Sequence, residues 1–213
     1  MSAPLHHRGV RPDEGPVDAV GGPGGRVWPV RCRAVRVRHG RGRGDDGART
    51  RRLPRARGAR AYGTLAGAAA SSSANHITAS HADGRAFAME LALRDAAPAP
   101  ADIGVGHAHA TSTESGDLAE AEAIGRVTGS HAAVTATKSM TGHMMDASGT
   151  VGAMAARFAL KDGTLPATRN LDALDPRVEL DVVRGERRTG RWSAAPANAF
   201  GFDGHNVSLV STR

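Results

Sequence analysis

Cysteine is nearly absent from this chain. Cys32 is the only one in 213 residues. No intrachain disulfide and no cysteine metal cluster can form, and a reducing, cytoplasmic location is the expectation. Aromatic residues make up 3%, which is little for a globular protein of this length and argues against a base-stacking surface. No apolar run approaches the length of a membrane span, and no secretory apolar segment follows Met1, so no membrane partner is expected. Acidic residues are outnumbered, 21 against 28 lysines and arginines, for a net charge of +7. That excess is uneven: the arginines crowd between Arg8 and Arg60, and the remainder is nearly balanced.

Two regions follow different rules. Residues 11–54 are Arg, Gly, Pro and Asp with scattered valines, and no helical or alternating period persists there. Gly21-Gly22-Pro23-Gly24-Gly25 and Arg38-His39-Gly40-Arg41-Gly42-Arg43-Gly44 resist regular structure, so residues 1–54 are expected to form an irregular, disordered Arg/Gly-rich segment. From about residue 55 the pattern changes. Residues 85–96 predict an amphipathic helix with Phe87, Met89 and Leu91 as apolar surface. Residues 117–127 predict a second, with Leu118, Ala121 and Ile124 on one face. Residues 147–161 predict the clearest helix, with Val151, Met154, Ala155 and Phe158 as its stripe; Gly163 is its stop and Pro166 follows. Residues 103–106, 134–137, 179–183 and 207–211 predict strands. Alternating strands and helices indicate a layered α/β domain over residues 55–213.

Three short segments read as site loops. They are His107-Ala108-His109-Ala110-Thr111-Ser112-Thr113, then Thr137-Lys138-Ser139-Met140-Thr141-Gly142-His143, then the glycine-containing turn from Asn198 through Phe200-Gly201-Phe202-Asp203-Gly204 to Asn206. Loops held by a rigid sheet are where catalytic groups concentrate. Each feature has a plainer explanation when taken alone. His-x-His without a Cys or carboxylate cluster argues against zinc. Lys138 alone is most often a solvated charge, Thr111 and Thr113 serve equally as helix caps, and Phe200-Gly201-Phe202 as packing around a bend.

Taken together, in this order and at these separations, the segments resemble the elongating β-ketoacyl–acyl carrier protein synthases of the thiolase-like superfamily, in their C-terminal half. Arg55-Ala56-Arg57-Gly58-Ala59, Asn75-His76-Ile77-Thr78-Ala79, Gly116-Asp117 and Asn170-Leu171-Asp172 extend the likeness. The resemblance implies a thiolase-like layered fold and decarboxylative condensation of an acyl thioester with a malonyl thioester, in fatty-acid or polyketide assembly. His109 and His143 match the family's two active-site histidines, which stabilise an enolate oxygen. Lys138 matches a lysine supporting the second histidine. Thr111 and Thr113 match threonines that hydrogen-bond the phosphopantetheine arm. Phe200 matches a phenylalanine gating the acyl pocket, and Phe202 falls with it on the substrate side. Two histidines favour the elongating class, since the initiating class uses histidine and asparagine. No cofactor or metal is implied; the partner is acyl carrier protein, and a complete ketosynthase subunit is a further possible partner.

The departures are as informative. The family's nucleophilic cysteine, a thiolate at a helix N-terminus, has no counterpart. Cys32, in Val30-Arg31-Cys32-Arg33, lacks the small-residue context. The expected consequence is a truncated and inactive condensing enzyme. Family members usually carry asparagine at His107, glutamate at Gly152, glycine at Asp203 and threonine at His205. Residues 1–10 again resemble the family, and the gap, back-translated with codons chosen for the purpose and read one base later, can give G-R-M-K-A-L-S-T from residues 11–19 and V-M-G-E-G from residues 38–43. A one-base frame change near Val10, compensated near Pro54, is the expected origin of the arginines. Two alternatives remain: a non-catalytic partner subunit like a chain-length factor, and a nucleic-acid-binding Arg/Gly-rich tail, which ranks below the frame change.

Overall fold

A computed structural model describes Gly58, residues 61–73 and residues 81–213. The Arg/Gly-rich segment expected to be disordered, Cys32 within it, and the Asn75-His76-Ile77-Thr78-Ala79 stretch lie outside the described residues.

Eight strands and four helices follow in chain order among the described residues: β1 (Thr64–Ser72), α1 (Ala82–Ala96), β2 (Val105–His107), α2 (Glu114–Thr128), β3 (Ala133–Thr135), the single turn α3 (Lys138–Thr141), α4 (Ala147–Asp162), β4 (Thr164–Leu165), β5 (Asp181–Val182), β6 (Arg188–Thr189), β7 (Ala194–Phe200) and β8 (His205–Thr212). Six strands form one sheet in the order β1-β8-β7-β2-β3-β5, while β4 and β6 pair separately. β1, β8 and β7 are antiparallel neighbours; β7, β2, β3 and β5 run parallel.

Both faces of the sheet are covered. Met89 and Leu93 of α1 and Ile124 and Val127 of α2 pack with Ile103, Val134 and Val210 on one side. Ala153, Ala156, Ala159 and Leu160 of α4 pack with Val105, Ala133, Ala195 and Ala197 on the other. Alternation along a strand assigns neighbouring residues to opposite faces, so Ala133 belongs to one cluster and Val134 to the other. This is the layered α/β arrangement expected.

Several local expectations are corrected. On α4 the buried face is Ser148, Gly152, Ala153, Ala156, Ala159 and Leu160. The predicted stripe points away from the sheet, with Phe158 39% exposed. The small side chains face inward because they let the helix lie close to the sheet. Phe87 on α1 is likewise exposed, and the inward face of α2 carries Asp117 and Glu120. The third site segment is not one turn. Its first residues end β7, a 3-10 turn spans Phe202–Gly204, and β8 starts at His205. Both β7 and β1 escape a sequence reading because alanine and serine give no β signal. Gly67 in β1 shows how closely α1 lies: a methyl there would stand 2.4 Å from the Ala92 carbonyl oxygen. Gly163 stops α4 as expected, in the left-handed region at φ 64°.

Candidate active site at the carboxyl ends of the parallel strands

Strands β2, β3 and β7 are parallel, so the segments leaving them emerge at one rim, where α/β sheets commonly bind ligands. β2 leads into His109, β3 leads into Thr137 and Lys138, and β7 ends at Phe200. His143 comes from the connection between α3 and α4. The rim therefore gathers His109, His143, Lys138 and Phe200. The His109 and His143 rings meet edge to face at 5.6 Å, and the His109 and Phe200 centroids are 6.0 Å apart. Lys138 Nζ lies 3.2 Å from His109 Nδ1 and also donates to the His109 carbonyl.

Helix α2 braces this loop. The buried Glu120 carboxylate accepts the His109 and Ala110 amides, both at 2.8 Å. Asp117 accepts the Thr111 amide at 3.1 Å. Ala110 (φ 27°) and Ser112 (φ 67°) sit at positive φ, a strain of about 1–2 kcal/mol each that neighbouring hydrogen bonds must hold. Thr111 Oγ1 and Thr113 Oγ1 are 3.1 Å apart at the loop's outer end. Arg85 of α1 donates to the Gly116 carbonyl and lies 4.8 Å over the Phe200 ring. Phe202, by contrast, is 64% exposed.

Burial and nearby charge keep the His109 imidazole neutral. Burial first, then Lys138 and the neighbouring cationic groups, lower the His109 pKa to about 2. Burial lowers Lys138 to about 8, with Glu120 and Asp117 opposing it. Burial, then Glu120, raise Asp117 to about 7, against the Ser112 and Thr111 amides and Arg85. Proton placement follows. His109 Nδ1 accepts from the Lys138 ammonium, so its proton resides on Nε2. His143 Nδ1 accepts the Met145 amide at 3.0 Å, with Ser148 Oγ at 3.1 Å, which puts that proton on Nε2 as well. Two neutral Nε2–H donors at one rim suit a developing oxyanion.

Asp117, Glu120, Arg85 and Ser148 were assigned no role from sequence. The signal for the carboxylates was available: Asp117 and Glu120 are three apart, on the face of α2 that also carries Ile124 and Val127. Among the described residues no group of three or more His, Cys, Asp or Glu is placed to hold a metal ion, and no helix is long and apolar enough to cross a membrane.

The class defined by this fold and rim is the thiolase-like condensing enzymes. Residues 62–172 match the family described as Beta-ketoacyl synthase, C-terminal domain. The chain is 43% identical over 160 residues to 3-oxoacyl-[acyl-carrier-protein] synthase 2 of Synechocystis, covering 73% of this chain and 38% of that protein. It is 40% identical over 177 residues to the protein of the same name from Mycobacterium bovis, covering 80% and 42%. The crystal structure of a Beta-ketoacyl synthase from Burkholderia phymatum superposes with a TM-score of 0.74 at 35% identity, covering 76% of this chain and 40% of that one. The ishigamide ketosynthase/chain length factor gives the same values. This chain belongs to the β-ketoacyl synthase family, in its C-terminal domain. It spans about two fifths of the length of the curated relatives it matches.

Proposed function

We propose that residues 55–213 form the malonyl-activating half of a β-ketoacyl-[acyl carrier protein] synthase site. The observation that carries this reading is the His109–Lys138–His143 group, two imidazoles whose Nδ1 atoms both accept hydrogen bonds, beside a half-buried ammonium. A malonyl thioester, presented on the phosphopantetheine arm of acyl carrier protein along Thr111 and Thr113, would set its thioester oxygen against the Nε2–H donors. The bond from the α-carbon to the carboxylate breaks, carbon dioxide leaves, and the electron pair delocalises onto that oxygen as an enolate. Protonation at the α-carbon gives an acetyl thioester. Carbon–carbon bond formation would instead need an acyl group on a thiol, and no counterpart of the family's nucleophile stands within residues 55–213. The partial reaction is therefore the one assigned to this chain.

The test is turnover of malonyl–acyl carrier protein by the full chain, read as acetyl product by mass spectrometry. Loss of one oxyanion donor costs about 10²–10³ in rate, so His109→Ala should reduce decarboxylation to near background. Decarboxylation at the buffer rate in the unaltered chain, or unaffected by His109→Ala, overturns the proposal. A second reading, a non-catalytic partner of a complete ketosynthase, is favoured by the likeness to the ishigamide ketosynthase/chain length factor. Stable co-purification with such a ketosynthase, together with no turnover, would select it.

A further inference from the structure

His107 ends β2 on the side facing α4 and is 2% exposed. Its Nε2 lies 2.7 Å from Thr137 Oγ1 and accepts the Thr137 amide at 3.3 Å. Thr137 caps the N-terminus of α3, whose first residue is Lys138. An acceptor Nε2 puts the ring proton on Nδ1. That atom is buried and has no hydrogen-bond partner among the described residues. It faces Gly152 of α4, where a methyl group would stand 2.8 Å from Nδ1 and 2.9 Å from Cε1 of the ring. Real Cβ atoms do not approach that closely, so the imidazole already occupies the room that any side chain at position 152 would need.

We propose that His107 and Gly152 are a matched pair that fixes the place of Lys138. The imidazole rests on bare helix backbone and ties the head of α3 to the end of β2, and Lys138 is thereby held against His109. His107 is a positioning residue and acts through Thr137. Burial, then the Lys138 charge, lower its pKa to about 3, so it stays a neutral acceptor across the working range. An acceptor is what the Thr137 amide requires, and a protonated ring would offer none. The inference rests on the proposed function only in giving the lysine's place a use. Its readouts are stability and amine titration, which do not depend on turnover.

The test uses the full chain with Gly152→Ala, His107→Ala, His107→Asn and the combination of His107→Asn with Gly152→Ala. Melting temperature is measured together with the Lys138 titration, followed by NMR of the amine. The amine's charged neighbours, Glu120 and Asp117, are left intact, as is His109. Gly152→Ala should lower the melting temperature by several degrees and raise the Lys138 pKa by about one unit, because a displaced ring loosens α3 and lets water reach the amine. Asparagine at 107 is shorter and keeps a polar amide for Thr137. The combined variant should therefore recover both readouts relative to Gly152→Ala alone. Leu165→Ala, in the core cluster under α4, should lower the melting temperature and leave the Lys138 titration unchanged. Should Gly152→Ala fail to fold, the titration shift in His107→Ala decides the matter. The pairing is overturned if Gly152→Ala melts like the parent chain. The positioning role is overturned if Lys138 titrates as in the parent chain in both Gly152→Ala and His107→Ala.

Discussion

Glu120→Ala tests the arrangement most directly, because one side chain supports two consecutive amides. Glu120 is 2% exposed; its oxygens accept the His109 and Ala110 N–H groups at 2.8 Å, and Asn198 Nδ2 approaches at 3.4 Å. Truncation leaves two donors without an acceptor. A buried unsatisfied donor costs about 1–3 kcal/mol, so about 3 kcal/mol is a moderate total, against a stability of roughly 5–15 kcal/mol for a typical domain. For a chain of this size each kcal/mol lowers Tm by about 2–4 °C, which gives a fall of about 6–12 °C by circular dichroism. Glu120→Gln should fall between, since one amide oxygen still accepts while the new NH₂ faces a donor. Both changes remove the negative charge that raises Lys138, so the lysine should titrate below about 8. A melting temperature within about 2 °C of the parent chain, with Lys138 unmoved, would refute the view that this carboxylate holds the histidine loop.

Asp117 gives a pH dependence of defined sign. Its folded pKa, about 7, lies above the unfolded value near 3.9, so the folded chain binds the extra proton between those values and loses stability as pH rises through the window. The imidazoles act oppositely: with pKa values lowered to about 3 and 2, His107 and His109 cost stability as pH falls below about 6.5. The diagnostic is therefore the difference from Asp117→Asn, which keeps an acceptor for the Thr111 amide. That variant should gain relative to the parent chain from pH 4 to 7 in chemical denaturation; a constant difference would show that Asp117 ionises normally. At the end of α4, Gly163→Ala combines φ 64° with a methyl 2.6 Å from the Gly190 carbonyl oxygen, while Gly185→Ala has φ 71° and open space. Thermal melts should show Gly163→Ala as clearly the more damaging; equal effects would mean the backbone accommodates the contact.

The sequence revealed chemistry better than packing. His109, Lys138 and His143 stand in short runs whose residue types and order carry the family likeness, and such runs remain legible without coordinates. The layered α/β class was legible from alternating elements. β7 and the inward face of α4 were not, because β7 is mostly alanine and the α4 face mostly alanine with Gly152 and Ser148, small residues that pack closely without a hydrophobic period. The buried carboxylates of α2 were missed for a related reason: a period count of apolar residues assigns Asp117 and Glu120 to the solvent side, whereas the backbone amides of the histidine loop draw them inward. His107 was visible as a departure from the family pattern, but its relation to Gly152 depends on two elements meeting in space.

The peptide group joining His109 to Ala110 is gripped at both ends. Its oxygen is met by the Lys138 ammonium and its N–H by the Glu120 carboxylate. Opposite charges pull on opposite poles of one dipole, so turning that amide plane would break a contact with a positive and a negative group at once. The direction in which the imidazole leaves the main chain is thus set by backbone orientation before any side-chain torsion is chosen. The Glu120 carboxylate is withdrawn from bulk water and the Lys138 ammonium is half-buried, so dissolved salt screens this hold less than it would a surface pair.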